Sequence, residues 1–180
     1  MRLWSFQTTE MVEKLRDGKT LFCNPMFSTF FEDREFLRSY SWIVEQMENR
    51  VPKPEDAVWP IWAWHTQHGL QKKPDRRRYM FRDYSDKDSI VEFEIPESEV
   101  LLSDFDDWHN VLNNFPILSE REFEEWTPRD SEGYPIVSEE FKTESWKKIF
   151  HTTGDFVQAC VWSIPPESVI KVHSLKKKLT

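Results

Sequence analysis

Ser89–Asn114, SIVEFEIPESEVLLSDFDDWHNVLNN, is the stretch that decides the fold class. Val91, Phe93 and Ile95 share one face of an extended chain and Glu92 and Glu94 the other, the period of a half-buried strand. Pro96 ends that strand because it has no N–H to donate to a ladder. Val100-Leu101-Leu102 is apolar on both faces, as a buried strand requires. Ser103 or Asp104 can then cap a helix whose first turn places Asp106 and Asp107 at the positive end of its dipole. Phe105, Trp108, Val111 and Leu112 form its inward stripe, and Asn113-Asn114 suits its exit. Two strands and a helix in so short a stretch point to α+β.

Upstream, Leu3–Gln7 (LWSFQ) alternates as a strand. Thr8 or Thr9 can cap a helix carrying Met11, Val12 and Leu15, and Gly18 stands where a helix ends in a left-handed residue. Thr20–Cys23 reads as a second strand, while the phenylalanine-rich Asn24–Asp33 shows no period. Arg34–Glu48 is helical: Phe36, Tyr40, Val44 and Met47 recur every three or four residues, and Leu37 and Ile43 widen the stripe. Pro52 and Pro54 close it. Val58–His65 (VWPIWAWH) is expected as an edge or bulged strand because of Pro60. The loop Gln67–Asp75 leads through Arg76-Arg77-Arg78 into a short strand at Tyr79–Arg82.

Downstream, Phe115–Val137 reads as an acidic surface excursion. Ser138 caps a helix to about Phe150 that buries Phe141, Trp146, Ile149 and Phe150. Phe156–Trp162 and Val169–Leu175 are two closing strands, and Lys176-Lys177-Lys178 is a solvated tail. Between those strands, Ile164-Pro165-Pro166-Glu167-Ser168 echoes Ile95-Pro96-Glu97-Ser98, which we read as reused turn chemistry rather than a duplicated domain. Most connections are too short for repeated parallel crossovers. The expectation is therefore one α+β domain over residues 1–180, with a mixed or antiparallel sheet and a few packing helices.

Composition bounds the function. With 9 Trp and 14 Phe in 180 residues, the core is expected to be aromatic rather than aliphatic. A net charge of −8 argues against coating nucleic acid nonspecifically, because that binding rests on Lys and Arg neutralising phosphates. No stretch approaches a transmembrane span, so no membrane role is expected. Cys23 and Cys160, in a chain that opens without a signal peptide, read as reduced thiols of a cytoplasmic protein.

No GxGxxG, P-loop, GxSxG, HExxH or CxxC is present. His65 and His68 stand as an HxxH beside no carboxylate, so no metal site is expected. Trp62 and Trp64 alternate onto one strand face. Covered, they are core; lining a cleft, they make a stacking platform for a flat ring such as a nucleobase. Arg78 closes the basic run that also holds Lys72, Lys73, Arg76 and Arg77, which is either an exposed loop or a contact for phosphate or an acidic partner. Gln7 and Gln158 put amides inside strand patterns, as structural glue or as groups that read a ligand. Asp104 stands at a strand-to-helix corner beside Asp106, Asp107 and His109. It is either a helix cap or the candidate catalytic carboxylate for acid–base work.

LWSFQ followed by a helix and Gly18, then YSWIVEQM, PIWAW, VLLSDFDDWHNVLN and FVQACVW, in that order, resemble the uncharacterised bacterial family known as domain of unknown function 3841. The likeness spans nearly the whole chain, and DFDDWHNVLN is its most specific part. The N-terminal strand and glycine-ended helix also look like the opening of ADP-ribosyltransferase-like domains. That second resemblance implies a nucleotide-handling enzyme with NAD as cofactor; its candidate site comes from the residues read above, Asp104 as catalytic carboxylate and Gln7, Trp62, Trp64, Arg78 and Gln158 around the ligand. The chain departs from that pattern where an Arg or His is usual on the first strand, since LWSFQ offers Ser5 and Gln7 instead. A late catalytic Glu is also missing, Glu167 lying in a proline turn. A non-catalytic module that binds a protein partner, in mobile-element or host–phage conflict, is the alternative; it predicts an exposed aromatic patch with a polar rim.

Overall fold

The strand expected at LWSFQ is Arg2–Gln7 (β1) in the computed structural model, which describes residues 1–23, 34–75, 77–78, 81 and 87–175. Thr8 caps Thr9–Arg16 (α1) by accepting the Met11 N–H, and Gly18 ends it at φ +75°. Leu21–Phe22 (β2) and Arg34–Glu48 (α2) follow. Among the described residues the remaining strands are Ile61–Gln67 (β3), Ser89–Glu94 (β4), Leu101–Asp104 (β5), Phe156–Val161 (β6), Ser163–Ile164 (β7) and Val169–Ser174 (β8). Among the described residues the other α-helices are Phe105–Leu112 (α3), Glu120–Glu125 (α4) and Glu139–Ser145 (α5), the last running into a 3-10 turn at Trp146–Phe150.

Six strands form one antiparallel sheet in the order β5-β6-β3-β1-β4-β8, and β2 pairs with β7 in a second, two-stranded sheet. With the helices packed on it, this is an α+β fold. One expectation needs correction. Val58–His65 is not an edge strand: β3 begins at Ile61, after Pro60, and lies between β1 and β6. Pro60 precedes the ladder and so removes no bond from it; the irregularity falls later, as a register shift between Trp64 and Thr66. The two closing strands form where expected, β6 lying inside the sheet and β8 at its far edge. Asn24–Asp33, most of Tyr79–Arg82 and the lysine tail lie outside the described residues.

Alternation sorts the side chains onto two faces. Leu3, Ala63, Val91, Phe93, Ala159 and Val161 pack with Val12 and Leu15 of α1 and with Leu21 and Ile164 of the small sheet. On the other face Leu101 and Cys160 pack with Ile43 and Met47 of α2, Trp108 and Val111 of α3, and Trp146 and Ile149. Ser39 ties α2 to α3 by donating to the Val111 carbonyl at 2.8 Å. The echoing turns both form 3-10 segments, Glu97–Glu99 and Pro166–Ser168, each entered from an extended proline.

Candidate functional site

FVQACV in β6 sends Phe156, Gln158 and Cys160 to one face, the face that α2 and α3 cover farther along the sheet. Gln158 is directly opposite Ser103 of β5 on one side and Trp64 of β3 on the other. Trp64 in turn is opposite Trp4 of β1, and Trp4 opposite Glu92 of β4. One cross-strand row therefore reads Ser103, Gln158, Trp64, Trp4, Glu92. Its first four members are buried, with Ser103 0% exposed, Gln158 5% and Trp4 4%, and Glu92 is half-buried.

Buried polar atoms in folded proteins nearly always have a partner. Here the Gln158 Oε1, the Ser103 Oγ and, two residues along β3 from Trp64, the Trp62 Nε1 have none. The Trp4 indole N–H lies by the Glu92 carboxylate but forms no hydrogen bond of normal length and angle with it. Gln158 thus offers an acceptor, the two indoles offer donors and Ser103 offers either. Aromatic rings surround the row. Trp64 meets Phe81 and Phe105, each at 5.0 Å between centroids, and Trp62 lies 4.9 Å from Trp108 and edge-on to Tyr40.

At the other end of the row Glu92 accepts a 2.7 Å hydrogen bond from His173 of β8, and Arg2 stands 3.6 Å away. Burial pushes the Glu92 carboxyl up, but the His173 bond and charge, the neighbouring Trp4 indole and Arg2 outweigh it, so the group stays below its ordinary range.

The six residues singled out from the sequence fall into different places. Trp62, Trp64 and Gln158 come together on one face of neighbouring strands. Trp64 is 2% exposed, so its ring presents no open face. Gln7 is on the same sheet, but its amide donates to the Ser5 Oγ at 2.8 Å, which donates to the Trp62 carbonyl at 2.7 Å. Arg78 is exposed, three residues before the fully buried Phe81 that meets Trp64. Its neighbour Arg77 is held by the Asp75 carboxylate at 2.7 Å.

Asp104 ends β5 and caps α3: its Oδ1 accepts the N–H groups of Asp106 and Asp107 at 3.0 and 3.1 Å. Burial, Asp104 and Asp106 together raise the Asp107 carboxyl, while Asn110 and Lys148 pull it back in part. Gly154 presses so closely on Asp104 that a Cβ there would be 2.0 Å from Oδ2. Register places Asp104 level with Val157, at the opposite end of the sheet from Gln7, which is level with Ser89.

A family model described as domain of unknown function (DUF3841) matches residues 2–170. The chain belongs to the DUF3841 family. No curated protein and no solved structure matches it. Sequence reasoning about this DUF3841 chain missed Ser103, Trp4, Glu92, His173 and Arg2. Their alternation was legible, but which face of one strand meets which face of the next depends on a register set by pairings far apart in sequence. Among its described helices, none is long and apolar enough to cross a membrane.

Proposed function

We propose that this DUF3841 protein binds a nucleotide along the row Ser103, Gln158, Trp64, Trp4, Glu92. NAD is the nucleotide that its likeness to ADP-ribosyltransferase-like domains implies. The single observation behind the reading is the unpartnered Gln158 Oε1 beside the unpartnered Ser103 Oγ, both buried in the sheet. An exocyclic amine or carboxamide N–H would supply the hydrogen that Gln158 Oε1 needs, and a carbonyl or phosphate oxygen would accept from an indole. Asp104 takes part as the residue that fixes the β5–α3 corner next to Ser103, and Arg78 as an exposed cation for phosphate.

The test is a thermal shift series with NAD, ADP-ribose, nicotinamide and AMP on the full chain and on Gln158→Met. A ligand at a hundred times its Kd stabilises by about 2.7 kcal/mol. For a domain of this size that is roughly 5–10 °C in Tm. Gln158→Met should keep the fold and lose most of the shift. No shift with any of the four at millimolar concentration, or an undiminished shift in Gln158→Met, would rule this site out.

A further inference from the structure

The chain's charge is concentrated in one place. Residues 115–140 hold eight acidic and two basic side chains, a net −6 out of the −8 of the whole protein. The same segment holds four of the seven large apolar residues that are exposed among those described: Phe115, Phe123, Tyr134 and Ile136, at 42–51%. Scattered single apolar residues are ordinary on a surface, but Phe115 and Tyr134 lie against each other and make a joint apolar contact area.

The excursion is held in shape. Trp146 Nε1 donates to the Phe115 carbonyl at 2.8 Å, and Ser145 Oγ accepts from the Ile117 N–H at 2.9 Å. Ser119 and Glu122 form a reciprocal cap on α4. The two cations are used internally: Arg121 pairs with Glu125, and Arg129 donates to the carbonyls of Gly133, Phe123 and Glu124. Phe115 and Tyr134 stack on each other at 5.4 Å with rings 13° from parallel, although neither is buried. Glu120, Glu124, Glu132 and Glu140 have no ion pair among the described residues. An open depression of ≈ 350 Å³ lies alongside, lined by Glu122, Phe141 and Glu144 together with Lys147, Lys148 and His151.

We infer that this excursion docks a basic segment of a protein partner, one that sets an apolar side chain on the Phe115–Tyr134 stack and lysines or arginines against glutamates of the same segment. Charge complementarity selects the occupant. An anionic membrane or a nucleic acid would meet like charge there, and so would a second copy that paired the same excursion with itself. The rigid aromatic pair supplies contact area at small entropic cost.

The test is fluorescence anisotropy of the full chain with a labelled peptide of repeated Lys-Lys-Phe-Lys-Lys units, against a control in which Ser replaces Phe. The Phe peptide should bind, and at least tenfold more tightly than the Ser control. Its affinity should fall at least tenfold between about 50 and about 500 mM salt, where screening shortens to a few Å. A Phe115→Ser/Tyr134→Ser variant should lose tenfold or more for the Phe peptide with its thermal midpoint unchanged, because both side chains are exposed. A Glu120→Gln/Glu124→Gln/Glu132→Gln variant should lose affinity for both peptides. Three results would each overturn the inference: no binding at low salt, equal affinity for the two peptides, or a dimer in sedimentation that the aromatic variant abolishes. The last would make the surface a self-interface.

Discussion

Gly154 and Asp104 make a pair whose coupling can be worked out from their contact. A Cβ on Gly154 would fall 2.0 Å from Asp104 Oδ2 and 3.1 Å from Cγ. The carboxylate is short, and its other oxygen is fixed by the N–H groups of Asp106 and Asp107. It cannot swing aside without uncapping α3. Gly154→Ala should therefore cost about 1–3 kcal/mol, the range for forcing a methyl into a packed site. Asp104→Ala should cost about 0.5–2 kcal/mol through the lost cap, and Asp104→Asn about 0.5 or less, since Asn caps nearly as well. The double variant Asp104→Ala/Gly154→Ala removes the obstacle, so the alanine at 154 should then cost little, an interaction energy of about 1 kcal/mol or more. In the Asp104→Asn background the clash should persist, because the amide fills the same space. Urea denaturation with an unchanged m-value reads all of these. Equal cost of Gly154→Ala in the wild-type and Asp104→Ala backgrounds would refute the reasoning.

Four further outcomes are expected. Ser39→Ala should destabilise by about 1 kcal/mol in urea, since it leaves the buried Val111 carbonyl without the donor that joins α2 to α3. Without ligand, Gln158→Met should be neutral or stabilising in the same assay, because it removes a buried acceptor that has no partner; a loss above about 1 kcal/mol would mean the amide is satisfied in solution. The Ser119 N–H and hydroxyl and the Lys148 ammonium hold Glu122 down to about 2, below its usual 4.5. Its contribution to the α4 cap is therefore complete above pH 4.5 and lost as the pH falls toward 2, so the protection of the first-turn amides of α4, relative to their intrinsic exchange rates, should fall over that interval in the wild type and stay constant in Glu122→Gln. Burial pushes the Cys23 thiol up to about 11 despite Lys87, and burial together with Cys23 raises Cys160 as well. Both should alkylate slowly at pH 8 in the native state and rapidly in urea, and mass spectrometry that found fast native labelling of Cys160 would contradict its burial.

The elements that depend on neighbours in sequence were legible, and those that depend on distant partners were not. Thr8, Gly18, Asp104 and Asn114 mark helix ends by local chemistry, and each stands where that chemistry predicts. Pro60 misled because a proline's effect depends on whether it falls inside a ladder or one residue before it, which local sequence does not state. Gln158 could be picked out as an amide misplaced in an apolar strand. Glu92 could not be joined to His173, because β4 and β8 meet only after the chain has crossed the sheet. The aromatic surplus was legible as a number, but its division between a packed core and the exposed group on the excursion follows from tertiary contacts alone.

The order β5-β6-β3-β1-β4-β8 contains no hairpin: the ladder partners nearest in sequence are Asp104 and Val157, on either side of three helices. Such a sheet cannot be assembled piecewise from its own ends. Loop closure over long spans precedes every pairing, which predicts slow folding for a domain of this size. It also interlaces the chain. A cut in the excursion between α4 and α5 would leave β1, β3, β4 and β5 on one piece and β6 and β8 on the other. The second piece would supply the strand that joins β5 to β3 and the strand that covers β4. Neither fragment would then hold a continuous sheet alone, and the two, expressed together, would have reason to find each other.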